Sequence, residues 1–100
     1  FMERARTEWL RNTGYELDEI ERDHGFIFAV RTANLEYIRP ARLNDLLTVH
    51  VELKKLGKAS LELEQNIYRD QVLICHGMIK LAGLDAGSYR PKAIPIKLNL

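Results

Sequence analysis

An α+β domain, in which an apolar helix is covered by an antiparallel sheet, is the fold class this sequence predicts. Three observations carry that reading. The first eleven residues repeat their apolar positions with helical spacing, whereas from Phe26 onward the period changes to that of strands, most clearly from Leu47 to Ile67. The connections between the later strands are only a few residues long, which allows hairpins and excludes parallel crossovers. At 100 residues with 46% hydrophobic and 29% charged side chains, the chain holds one globular core, a single domain over 1–100.

Phe1, Met2, Ala5, Trp9 and Leu10 form one apolar stripe of the first helix, Phe1 to Arg11, with Glu3, Arg4, Arg6, Thr7, Glu8 and Arg11 on the remaining surface. Trp9 and Leu10 are both expected to be buried. No Ser, Thr, Asp or Asn precedes this helix as an N-cap, and Phe1 is not a normal initiator, so the pattern reads as a helix already under way. Gly14 supplies the stop. A second helical piece, Leu17 to Arg22, has only Leu17 and Ile20 to bury.

A long strand follows from Phe26 to Ile38. Phe26, Phe28 and Val30 occupy one face, with Ile27, Ala29, Leu35 and Tyr37 on the other, until Pro40 ends it. Arg31 falls at an interior position of this strand, which predicts a structural ion pair or an interface hydrogen bond. Leu47, Val49, Val51 and Leu53 alternate with Thr48, His50, Glu52 and Lys54, a strand with one wet face. Gly57-Lys58 turns the chain into a third strand carrying Leu61, Leu63 and Ile67, and Arg69-Asp70-Gln71 turns it again. Val72 to Leu84 is the most continuously apolar run and is predicted to be a central strand, closely approached or bent at Gly77 or Gly83. A ferredoxin-like sheet would need a second long helix, for which residues 39–45 and 85–100 are too short or too broken by proline.

Charge excludes several functions. Fifteen basic against fourteen acidic side chains leave a net charge of +1, too little for general attraction to nucleic acid or anionic lipid. The basic pole is the tail, where residues 86–100 hold Arg90, Lys92 and Lys97 and no acid. One cysteine, Cys75, excludes an internal disulfide and fits a reducing, cytoplasmic setting. No apolar run is long enough for a transmembrane segment. His24, His50 and His76 lie in different elements without metal-ligand spacing, so no metal is expected. Cys75 lacks the surroundings of a nucleophile and reads as a small core filler.

The strings Phe1-Met2-Glu3-Arg4-Ala5-Arg6-Thr7-Glu8, Phe28-Ala29-Val30-Arg31 and Leu35-Glu36-Tyr37-Ile38-Arg39-Pro40-Ala41-Arg42-Leu43-Asn44-Asp45-Leu46-Leu47 resemble the Tol-Pal-associated acyl-CoA thioesterase branch of the hot-dog superfamily, related to the 4-hydroxybenzoyl-CoA thioesterases. Arg90-Pro91-Lys92-Ala93-Ile94-Pro95 resembles the closing segment of that family. The resemblance spans nearly the whole chain. It implies a hot-dog fold, a sheet wrapped around a central helix, with the first strand of the family missing before Phe1. It implies hydrolysis of acyl-CoA, or of acyl groups on acyl carrier protein, without a cofactor, by a homodimer or homotetramer whose seam runs along residues 26–38.

In that family a loop bearing the catalytic aspartate and a His-x-x-Tyr stretch precedes the helix, so the resemblance places both before Phe1 and predicts that the 100 residues alone are inactive. A thioester needs a carboxylate to attack or to activate water, and donors aimed at the oxyanion. Glu3, in the first helical turn, is the fallback carboxylate, and its simpler role is a favourable charge at the helix start. Asp45 reads as a turn cap. For substrate binding, Lys58, Arg90 and Lys92 are the candidates to meet the phosphates of coenzyme A, with Lys54 and Lys55 nearby; solvated lysines guarding a hairpin tip are the plain alternative. The other functional class open to the sequence is a catalytically silent hot-dog module that binds acyl groups or a protein partner.

Overall fold

A computed structural model describes residues 2–12, 14–40 and 46–98, with side chains from Arg4 onward. Two helices, α1 (Met2–Asn12) and α2 (Leu17–His24), precede four strands: β1 (Phe26–Tyr37), β2 (Leu47–Leu56), β3 (Ser60–Arg69) and β4 (Val72–Asp85). They form one antiparallel sheet in the order β1-β4-β3-β2. The last three strands are a meander, and β4 is internal, as its apolar run predicts.

One face of the sheet carries Leu53, Leu61, Leu63, Ile79, Leu81 and Phe26, and these close on Leu10 of α1 and Ile20 of α2 as the main core. A smaller cluster, Ile67, Ile74 and Cys75, lies toward the other end under Leu47 and Val49. The opposite face is polar. There Lys54 pairs with Glu52 at 3.2 Å and Glu64 at 3.8 Å, while Glu62 lies between Lys80 at 3.5 Å and Lys55 at 3.8 Å. Such half-exposed pairs contribute little each and serve chiefly to keep this face wet.

Four expectations are corrected. Leu10 is buried, but Trp9 is only half-buried, because the covered face of α1 also includes Arg6 and Thr7. Helix α2 runs on to His24 and buries Ile20 alone, leaving Leu17 39% exposed. Arg31 is an extra residue at a bulge, since Val30 pairs with Leu81 and Thr32 with Lys80. It is therefore exposed, and it makes no ion pair among the described residues. The same bulge reverses the alternation, so Leu35 and Tyr37 share the face of Phe26 and Phe28 instead of opposing it.

Beyond β4 the chain turns back. The tail lays half-buried Ile94 and Ile96 and buried Leu98 against the main core, and Tyr15 Oη accepts from the Lys97 amide at 3.4 Å. Gly83 is the point of close approach. Its N–H donates to the Ala59 carbonyl, its carbonyl accepts from Lys92, and a Cβ there would stand 2.5 Å from the Phe26 ring and 2.6 Å from the Lys92 carbonyl. Gly83→Ala is thus expected to destabilise the domain by about 1–3 kcal/mol through overpacking. An unchanged melting temperature would show that strand and tail can part without cost.

Candidate active site

Where α1 leans across the sheet, the two layers do not meet fully. A cavity of about 270 Å³ remains, walled by Trp9 and Leu10 of α1, Leu17 of α2, Phe28 and Val30 of β1, and leucines of β3 and β4. Its exposed lining residues, Val30 at 51% and Leu17, place the mouth beside β1. Phe28 is steered by an edge-to-face contact with buried Phe26, the ring centroids 4.9 Å apart. Arg6 and Thr7 are the polar members of the wall.

Arg6 is held from below. Its Nη1 donates to Gln65 Oε1 at 2.9 Å, and Gln65 is the buried polar side chain of the core, with none of its surface exposed. A buried amide is costly unless bonded, so this pair ties α1 to the middle of β3. Sequence reading missed both residues. The signal was the inward position of Gln65 in Leu61-x-Leu63-x-Gln65-x-Ile67, where a fourth apolar residue is due.

The basic candidates gather at the start of β3. The Ile94 amide donates to the Lys58 carbonyl, and the Asp85 amide to the Arg90 carbonyl, so the β2–β3 turn and the segment after β4 lie together. Lys58 and Arg90 are exposed, and neither side chain forms an ion pair among the described residues. Lys92 is engaged structurally. Its Nζ donates to the carbonyls of His24, at 2.5 Å, and Gly25, at 3.4 Å, where α2 ends in a left-handed glycine, and it lies 3.6 Å from Asp85 Oδ1. A cation over a helix C-terminus is favourably placed.

Asp85 accepts from the Ser88 amide at 2.9 Å, the Gly87 amide at 3.0 Å and the Ser88 hydroxyl at 3.2 Å. These bonds, with Lys92 beyond them, hold its carboxyl below the ordinary value of 3.8. A depressed carboxylate stabilises the fold above the unfolded value, and this contribution is lost as pH falls through the folded value. Below pH about 4 the domain is therefore expected to lose stability, and Asp85→Asn should flatten that acid limb in urea titrations. An identical limb in the variant would assign it to other carboxylates.

The remaining candidates are scattered. Glu3 belongs to the first turn of α1, with its side chain outside the described residues, and Asp45 lies outside them altogether. His24 is at the end of α2, and His50 stands edge-on to Tyr68 on the polar face. His76 Nδ1 meets Asn66 Oδ1 at 2.6 Å on that same face. No group of three potential metal ligands occurs among the described residues. Cys75 is buried and its thiol is pushed up by desolvation, away from nucleophilic use.

Comparison with known proteins agrees with this architecture. Residues 1–76 match the family model of the thioesterase superfamily. A Haemophilus influenzae protein named acyl-CoA thioesterase YbgC is 33% identical over 95 residues, covering 95% of this chain and 70% of its own. The Escherichia coli acyl-CoA thioester hydrolase YbgC is 31% identical over 96 residues, covering 95% and 71%. A probable thioesterase from Bartonella henselae superposes with a TM-score of 0.86 at 27% identity, over 95% of this chain and 78% of that one. A helix laid on a meander, closed by a fourth antiparallel strand beside the last, is thus the hot-dog arrangement, and the chain belongs to the thioesterase superfamily.

Proposed function

We propose that the protein hydrolyses acyl-CoA thioesters to the free acid and coenzyme A. The observation that carries this reading is the apolar cavity against α1 in a chain of thioesterase family. An acyl group needs a water-poor wall, and the carbonyl needs donors beside it, which a helix start supplies. The names of the YbgC relatives support the same substrate class. Exposed Lys58 and Arg90 are the phosphate contacts of this reading, so added salt weakens coenzyme A binding. Lys92, held by α2, shapes that end of the sheet. The buried thiol suits work in the cytoplasm.

We place a two-fold partner along β1. Val30, Leu35 and Tyr37 of this strand, with Ile38 just after it, are between 42% and 77% exposed, and the outer edge of the strand is unpaired among the described residues. Light scattering should give a dimer or tetramer, and Leu35→Glu should shift it toward monomer. A wild-type monomer at high concentration would remove the seam.

One observation favours the silent-module alternative: among the described residues the cavity wall contains no carboxylate, histidine or cysteine. Free-thiol release from a panel of acyl-CoAs by an N-terminally extended chain, without added metal, separates the two. Turnover supports the enzyme. Absence of turnover on every thioester, with acyl-CoA still bound, supports the module.

A further inference from the structure

A second groove, of about 500 Å³, crosses the polar face of the sheet. Lys80 of β4 pairs in register with Thr32 of β1 and with Glu62 of β3, and Glu62 pairs with Lys55 of β2, so one row of side chains spans all four strands. Two bulges flank that row. One, between Val30 and Thr32, adds Arg31 to the wall of the groove; the other lies between Leu53 and Lys55. Arg31, Lys55 and Lys80 are thus set against a single carboxylate, Glu62, which leaves +2 in the groove where the whole chain carries only +1. Glu62 is shared between Lys80 at 3.5 Å and Lys55 at 3.8 Å, and Arg31 has no ion partner among the described residues.

We propose that this groove is a phosphate site, in which Arg31 and Lys80, with Lys55 behind them, bind the phosphate or diphosphate group of a small phosphorylated molecule. Arg31 and Lys80 stand on neighbouring strands, about 5 Å apart at the backbone, a spacing at which two cations bracket one phosphate or straddle a diphosphate. A phosphate monoester brings about two negative charges at neutral pH, which match the excess here. The Ser60 hydroxyl, exposed in the same lining, is a further donor. The volume exceeds one phosphate and leaves room for the body of the ester. No aromatic side chain lines the groove among the described residues, so the phosphate is read and a nucleobase is not. The two-fold seam along β1 runs in the plane of the sheet and leaves this face open. This site stands whether or not the cavity beside α1 holds an acyl group.

Equilibrium dialysis of the chain against labelled inorganic pyrophosphate tests the site. Saturable binding is expected, weakened about tenfold or more by Arg31→Ser and by Lys80→Gln. Arg31 is exposed at a bulge, so the urea midpoint of Arg31→Ser should equal that of the wild type. Arg31→Lys, which keeps the charge and loses the planar fork, should recover part of the affinity. Glu62→Gln removes the competing carboxylate and should tighten binding by about two- to fivefold. Adenosine 5′-diphosphate and uridine 5′-diphosphate should compete equally, and added salt should weaken all three. The non-hydrolysable thioether S-octyl-coenzyme A assigns the source of the phosphate. Pyrophosphate retained in its presence means a separate phosphorylated ligand; pyrophosphate displaced by it means that the diphosphate of the coenzyme reaches this face. Absence of saturable pyrophosphate binding, or binding indifferent to Arg31→Ser, overturns the proposal and leaves the row as solvated ion pairs.

Discussion

Leu63→Ala is expected to lower the free energy of unfolding by about 2–5 kcal/mol. Leu63 has no exposed surface, stands between Leu53 of β2 and Ile79 of β4 in register, and already borders the cavity. Truncation removes buried methyl groups and enlarges a void that cannot collapse, because β3 is hydrogen-bonded on both sides. Leu56→Ala, at a leucine 39% exposed near the end of β2, should cost about 1 kcal/mol or less. Urea midpoints at equal slope measure both. Equal losses at the two sites would mean that the core sits elsewhere than between α1 and the middle of the sheet.

The contrast between these leucines follows a pattern that was readable, since Leu61 and Leu63 alternate with Glu62 and Glu64 and strands keep that period. The meander and the internal place of β4 were legible for the same reason, each a local signal repeated over many residues, and the close approach at Gly83 was marked by the glycine itself. What escaped was non-local. Nothing near Arg31 announces a bulge; it is created by pairing with Leu81 and Lys80, and it turns Leu35 and Tyr37 to the other face. Arg6 and Gln65 are 59 positions apart, and neither looks unusual until the fold brings them to 2.9 Å. The tail read as a basic pole because its lysines were conspicuous, yet Ile94, Ile96 and Leu98 carry the period of two that binds it to the core. Lys92 illustrates the limit for sites: a basic residue after Pro91 suggests a phosphate, and only folding brings the end of α2 beneath it.

Catalysis is expected to depend on a carboxylate that the described side chains do not supply at the cavity. Its wall offers aliphatic and aromatic groups, one guanidinium and one hydroxyl, none of which attacks a thioester or deprotonates water at neutral pH. In the family that the sequence resembles, an aspartate and the oxyanion-binding turn stand just ahead of the helix equivalent to α1. Residues 1–100 are therefore expected to release thiol from acyl-CoA at the background rate, and a chain carrying the aligned upstream segment of the Haemophilus relative to exceed it. A general base contributes about 100- to 10,000-fold, and oxyanion donors a further factor of about 100 to 1,000, although effects of groups that act together do not simply multiply. Changing the grafted aspartate to asparagine should remove most of the gain while leaving the urea midpoint unchanged, which separates chemistry from folding. Glu3→Gln in the 100-residue chain is the counter-test. If that chain turns over acyl-CoA briskly and the substitution stops it, the carboxylate is Glu3, and the first turn of α1 carries the chemistry itself.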